Sequence, residues 1–149
     1  MNSEHKLVIF TDGGSRGNPG ESAIGVVIYD GHKNILKSYA ETIGVGTNNE
    51  AEYQAVISAL KTAKHILGGE KAKKTEIEVR SDSQLLVNQL SGKFKISTDR
   101  IKFLFVDVWN LKQDFKGVVF RHIRREDNVD ADRLLNLKLD EMSGKGKLF

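Results

Sequence analysis

The sequence predicts an α/β protein: one five-stranded mixed sheet, with three antiparallel N-terminal strands and a parallel centre, flanked by helices. Three observations predict it. Strand-like apolar runs separated by short turns occupy the first third of the chain. From Thr47 onward, segments with apolar residues at helical spacing alternate with short strand-like runs. Strands joined through a helix lie parallel in one sheet, which brings the first, fourth and fifth strands together at the centre.

Each element has its own signal. Lys6–Asp12 holds the run Leu7-Val8-Ile9-Phe10 and reads as the first strand. Ile24–Asp30 and Ile35–Ile43 read as the second and third, with a turn at Gly31-His32-Lys33-Asn34. Thr47-Asn48-Asn49-Glu50 matches a capping box, with Thr47 as N-cap and Glu50 at the third helical position. Ala55, Val56, Ala59, Leu60, Ala63, Ile66 and Leu67 continue that helix until Gly68-Gly69 stops it. Lys74–Ser81 alternates around Ile77 and Val79 as a fourth strand, and Ser83–Leu90 reads as a short helix with Leu85, Leu86 and Leu90 inward. Ile101, Leu104, Phe105, Val108, Leu111 and Phe115 mark a helix starting near Thr98 or Asp99. Val118–Ile123 is the fifth strand. A last helix starts near Asn128 and carries Ala131, Leu134, Leu135, Leu139 and Met142 on one face.

At 149 residues the chain fits a single domain over 1–149, with a core over residues 6–142 and a basic, glycine-rich tail over 143–149. Its 39% hydrophobic and 29% charged content is ordinary for a globular protein. No stretch approaches the roughly 20 apolar residues of a membrane span, and Met1–Lys6 holds no apolar signal region. Cysteine is absent, so any metal must be held by oxygen or imidazole. The net charge is only +3, but basic residues cluster at Lys93, Lys95, Arg100 and Lys102, at Arg121, Arg124 and Arg125, and at Lys145 and Lys147. Such clusters serve as solvated faces or as nucleic-acid contacts.

The acidic residues carry the chemistry. Asp12 follows an apolar run and opens Gly13-Gly14-Ser15-Arg16-Gly17-Asn18-Pro19-Gly20, where missing Cβ atoms let backbone N–H groups approach a ligand. An Asp before glycines also suits a plain turn. Glu52 lies in the first helical turn, where the helix dipole favours it. Yet Ala55, Val56 and Ala59 share its face, so it looks toward the sheet. Asp82 follows the fourth strand; it sits where ligands of open α/β sheets gather, although it could also cap the next helix. Of the acids near the last helix, Asp132 shares a flank with Val129, Leu135 and Leu139, whereas Asp130 aligns with Arg133 and Leu137. Converging carboxylates repel and their pKa values rise unless cations sit between them. An all-oxygen set favours Mg²⁺ or Mn²⁺, and two such ions suit water attack on a phosphodiester.

By these motifs the chain resembles a type 1 ribonuclease H. The matching residues are Thr11-Asp12-Gly13-Gly14-Ser15 with Asn18-Pro19-Gly20, Thr47-Asn48-Asn49-Glu50-Ala51-Glu52, Ser81-Asp82-Ser83-Gln84, and Asn128 with Ala131-Asp132-Arg133-Leu134. The resemblance implies a ribonuclease H-like fold and endonucleolytic cleavage of the RNA strand of RNA/DNA hybrids, leaving 5′-phosphate and 3′-hydroxyl ends. It implies two Mg²⁺ ions, with Mn²⁺ as substitute, held by Asp12, Glu52, Asp82 and Asp132. Asp12 would bridge both ions, Asp132 would serve the one that activates water, and Glu52 and Asp82 the one at the leaving oxygen. Glu52 would also accept a bond from a ribose 2′-hydroxyl. Asn48 and Gln84 correspond to minor-groove contacts, Gly13 and Ser15 to the turn beside the scissile phosphate, and Asn18 and Thr47 to a grip on a DNA-strand phosphate. A cytoplasmic monomer without membrane association is the expectation that goes with it.

Three departures qualify the resemblance. Gly92–Thr98 runs almost directly into the next helix, so the basic protrusion of longer members is missing. Residues 119–126 lack the glycine-histidine loop of some members, and His122, within a predicted strand, is not assigned its role. No separate N-terminal hybrid-binding domain is seen in the sequence. A catalytically silent hybrid-binding module, a DNA-directed nuclease of the same fold and a fragment of a reverse transcriptase polyprotein are the competing classes.

Overall fold

A computed structural model describes residues 5–144. The chain runs β1 (Lys6–Gly17), β2 (Gly20–Asp30), β3 (Ile35–Gly46), α1 (Asn48–Leu67), α2 (Gly69–Ala72), β4 (Glu76–Ser81), α3 (Gln84–Leu90), α4 (Asp99–Lys112), β5 (Gly117–His122) and α5 (Val129–Met142). One sheet forms in the order β3-β2-β1-β4-β5. β1–β2 and β2–β3 are antiparallel; β1–β4 and β4–β5 are parallel. This is the mixed sheet the sequence predicts, except that β5 forms an edge of it and only β1 and β4 of the parallel strands are interior.

The largest difference concerns the glycine-rich segment, which is strand rather than turn. The last parallel rung of β1 is Thr11↔Ser81, and beyond it Asp12 to Gly17 pair with β2 alone, from Asp12↔Gly25 to Gly17↔Gly20. Asp12 therefore lies within β1, at the end of its parallel pairing only. Glycine lowers strand propensity, so the local sequence signals a break that the paired neighbour overrides. β2 accordingly begins at Gly20 and β3 runs on to Gly46.

Smaller corrections follow the same logic. α1 stops at Gly68 (φ 80°), as predicted, but a single helical turn, α2, occupies part of the linker before β4 starts at Glu76. α3 is capped by the Ser83 side chain, which accepts from the Leu86 amide at 3.2 Å; it buries Leu86, Val87 and Leu90 while Leu85 is exposed. α4 ends at Lys112, and Phe115 is buried just past it. β5 spans Gly117–His122, one residue earlier than predicted. The Ser143 and Gly144 amides close α5 by donating hydrogen bonds to the Leu139 and Glu141 carbonyls. The predicted tail residues 145–149, with Leu148 and Phe149, lie outside the described residues.

Strand alternation divides the sheet into two faces. Leu7 and Ile9 on β1, Ile24, Val26 and Ile28 on β2, and Ile77 and Val79 on β4 join Tyr53, Val56 and Leu60 of α1, Leu86 of α3 and Val108 of α4 in the main core. Each such side chain contributes about 1.5–3 kcal/mol by its burial. On the opposite, outer face, Leu135 and Leu139 of α5 close over Ala23 of β2. The outer face also carries Asp12, and both layers meet where the parallel pairing of β1 with β4 ends.

Candidate active site

Two glycines bring the acidic side chains together. A Cβ on Gly13 would stand 2.3 Å from the Ala51 carbonyl oxygen and 2.6 Å from the Glu52 amide nitrogen, so β1 and the first turn of α1 touch backbone to backbone. That approach sets Glu52 beside Asp12. A Cβ on Gly25 would stand 2.2 Å from the Ala131 carbonyl oxygen, so α5 rests on the backbone of β2 and presents Asp132. Asp82 arrives from β4, whose last residue pairs with Thr11. Asn128 ties the start of α5 to β1: its Nδ2 donates to the Thr11 carbonyl at 2.9 Å in a buried bond.

Asp12, Glu52 and Asp82 each offer a carboxylate oxygen, all within 4.8 Å of one another. Asp132 borders the same cleft, about 380 Å³ in volume, together with Asn48, Arg125 and Asn136. Asp12 and Glu52 are 5% and 8% exposed, which makes their charges costly. Burial first, then the charges of Asp82 and Asp132, push the Asp12 pKa up to about 8. Burial, Asp12 and Asp82 push Glu52 well above the usual carboxylate range. Burial also raises Asp82, against the neighbouring Asn128 amide and the Arg125 charge. Glu52 Oε2 is buried with no hydrogen-bond partner. Hard oxygen donors, mutual repulsion and an orphaned carboxylate oxygen fit a bound divalent cation.

The predicted contact residues form a second group on the rim. Asn48 Oδ1 accepts from the Ser15 amide at 3.0 Å and from Ser15 Oγ at 3.2 Å, and the Asn48 amide donates to Asn18 Oδ1 at 3.0 Å. Gly13, Ser15 and Asn48 line the cleft, whereas Asn18 and Thr47 do not. Thr47 is the N-cap of α1, accepting from the Glu50 amide at 3.1 Å, and the predicted capping box is complete. Gln84, by contrast, is exposed at the start of α3 and does not line the cleft. Asp130 is exposed, 3.7 Å from Arg133 Nη2, and accepts from the Tyr29 hydroxyl at 3.4 Å. His122 is exposed at the end of β5.

Sequence reasoning does not place Arg125 or Asn136 in the cleft. Arg125 opens a 3₁₀ turn, Arg125–Asp127, and comes within 4.0 Å of Asp132. No local pattern marks that turn. Asn136 lies one helical turn after Asp132 and donates to its carbonyl at 2.9 Å, a spacing that could have flagged it.

Comparison with known proteins agrees with this arrangement. Residues 10–137 match the family model described as reverse transcriptase-like. The structure superposes on ribonuclease H1 of the archaeon Halobacterium salinarum with a TM-score of 0.83 and 37% identity, over 91% of this chain and 98% of that one. The chain belongs to the ribonuclease H family, type 1. A second type 1 ribonuclease H, LC11-RNase H1 from compost, solved in complex with an RNA/DNA hybrid, matches with a TM-score of 0.86 and 40% identity, over 92% of this chain and 99% of that one. By sequence, a bifunctional protein of Mycobacterium tuberculosis is 38% identical over 136 residues. The chain spans 36% of the length of that protein and 63% of the curated Halobacterium ribonuclease HI. No helix among the described residues is long and apolar enough to cross a membrane.

Proposed function

We propose that this chain is an endoribonuclease that cleaves the RNA strand of RNA/DNA hybrids, leaving 5′-phosphate and 3′-hydroxyl ends, with two Mg²⁺ ions as cofactor and Mn²⁺ as a substitute. The observation that carries the reading is the convergence of Asp12, Glu52 and Asp82 within 4.8 Å, with a buried Glu52 oxygen lacking any partner. A pure binding module gains nothing from clustered negative charge facing phosphates. In this reading Asp12, Glu52, Asp82 and Asp132 would hold the ions: Asp12 would serve both, Glu52 and Asp82 one, and Asp132 the other. Bound divalent ions supply an activated water and charge stabilisation at the leaving oxygen.

The remaining roles fall to the protein's own side chains. Asn48, Gly13 and Ser15 line the cleft beside the acids, where amide and hydroxyl groups can meet the 2′-hydroxyls of a wide minor groove. Asn18 and Thr47, held against them, take a phosphate of the DNA strand. Gln84 extends the minor-groove contact from outside the cleft. A labelled RNA/DNA hybrid, double-stranded RNA and all-DNA duplex, each incubated with Mg²⁺, test the activity. Cutting confined to the RNA of the hybrid is expected; efficient cutting of DNA would move the chain to neighbouring nucleases, and hybrid binding without cutting would make it a silent module. A cytoplasmic monomer is the state that goes with this reading by family resemblance.

The choice between neighbouring acids gives a sharper test. Asp132 borders the cleft, whereas Asp130 points its bonds at Arg133 and Tyr29. Asp132→Asn is expected to lower kcat by on the order of 10²-fold or more, and Asp130→Asn by less than about twofold. The opposite ranking in steady-state kinetics would remove Asp132 from the set.

A further inference from the structure

The outer face of the sheet is only partly covered. α5 packs on β1, β2 and β3, and no helix among the described residues lies over the outer side of β4 and β5. There the register places Phe10, Arg80 and Arg121 side by side across β1, β4 and β5, with Val8, Glu78 and Val119 in the next row. Neighbouring strands are about 4.8 Å apart, so each row is a continuous strip.

Glu78 is the unusual member. It is 5% exposed, yet it has no part in the acidic cleft. Arg80 Nε donates to its Oε2 at 2.6 Å and Arg121 Nε to its Oε1 at 3.1 Å; Lys6 Nζ stands 3.5 Å from Oε1. Three cations thus share one carboxylate. Burial works against the charged form, but the bonds from Arg80 and Arg121 hold the Glu78 carboxyl below its usual range. Each guanidinium is anchored through Nε, and its terminal amino groups have no protein partner among the described residues. The Arg80 guanidinium also rests over the Phe10 ring, 5.3 Å from its centroid, and Phe10 meets Tyr29 edge-on at 5.6 Å.

A buried carboxylate that fixes two arginine forks, and leaves their outer donors free, builds a rigid receptor for oxyanions. Aromatic rings and a guanidinium plane on an open sheet face are surfaces on which unpaired bases stack. We propose that this strip binds single-stranded nucleic acid, with Arg80 and Arg121 on the phosphodiester backbone and Tyr29 and the Phe10–Arg80 stack under the bases. The choice of a nucleic-acid occupant rests on the proposed nuclease activity. Excess positive charge around Glu78 and the flanking rings favour it over an acidic peptide, which needs charge but no stacking surface.

Fluorescence anisotropy with a labelled 12-nucleotide oligouridylate, in EDTA and low salt, tests the proposal on the whole chain. Arg121→Gln is expected to weaken binding about 5–10-fold, with a drop of about 0.7 in the slope of log affinity against log salt for each phosphate no longer neutralised. Tyr29→Leu is expected to weaken it at least about fivefold. Both variants should cut a short blunt hybrid with unchanged kcat. Unaltered affinity in both variants would overturn the proposal, as would a 12-residue polyglutamate that competes as well as the oligonucleotide. Failure of the unaltered protein to cut the blunt hybrid would strike the proposed activity instead, and is read in a separate assay.

Discussion

Asp12→Asn is expected to abolish hybrid cleavage while making the metal-free protein more stable. The first effect follows from position: the Asp12 carboxylate lies within 4.8 Å of those of Glu52 and Asp82 and also feels the charge of Asp132. In the proposed two-ion reading, loss of the carboxylate that would serve both ions removes several kcal/mol of transition-state stabilisation, on the order of 10³-fold in kcat. The second effect follows from linkage. The Asp12 pKa is raised from 3.8 to about 8, so the fold favours its protonated form. The stability this contributes is fully present below about pH 4 and is lost as pH rises through about 8. Asn mimics the protonated acid at every pH. Without metal, the variant should gain about 2 kcal/mol over the parent at pH 8, a Tm rise of about 4–8 °C for a chain of this size, and little at pH 4. Divalent ions should narrow that gap by stabilising the parent, with an affinity that rises across the same pH window because the ligands must first lose their protons. Thermal melts of both proteins in EDTA and in Mg²⁺, at several pH values, check it. A parent and variant that melt together in EDTA at pH 8 would show that the carboxylates do not repel.

Much of this site is legible in the sequence because its parts use local devices. The capping box at Thr47 and Glu50 fixes where α1 starts, and helical spacing then turns Glu52 toward the sheet. The same periodicity separates Asp132 from Asp130 without any structure. The path of β1 past Asp12 is not legible, because glycines read as a break when seen alone, and only the partner strand β2 holds them extended. Apolar character alone predicts Leu85 inward, whereas the packing of α3 leaves Leu85 exposed and buries Val87. Arg125 reaches the cleft through a 3₁₀ turn that runs into Asn128, whose bond to Thr11 is a contact across 117 residues. Glu78 shows the same limit. Its alternation marks a strand and places Arg80 beside it, but its burial and its other two cationic neighbours, Lys6 and Arg121, come from strands distant in sequence.

Gly25→Ala is expected to cripple the proposed cleavage from a position that carries no functional group. The added methyl would lie 2.2 Å from the Ala131 carbonyl oxygen and 3.0 Å from the Leu135 amide nitrogen, so it meets backbone that cannot rotate away. α5 must lift from β2, which opens the contact of Ala23 with Leu135 and Leu139 and carries Asp132 with it. Overpacking of this kind costs about 1–3 kcal/mol, a Tm loss of about 2–12 °C. A shift of about 1 Å in a catalytic group can cost about 100-fold in rate. Gly13→Ala should do the same to Glu52, because its methyl would lie 2.3 Å from the Ala51 carbonyl oxygen. The two variants should differ from an ordinary destabilised protein in one respect. Well below their melting points they should remain folded by circular dichroism yet bind Mn²⁺ more weakly in a direct titration, since each displaces one carboxylate of the cleft. Gly69→Ala supplies the control: nothing lies within 4 Å of its added methyl, so stability, Mn²⁺ binding and kcat should all hold. If Gly13→Ala and Gly25→Ala bind Mn²⁺ as the parent does, the acids are placed by something other than these two backbone contacts.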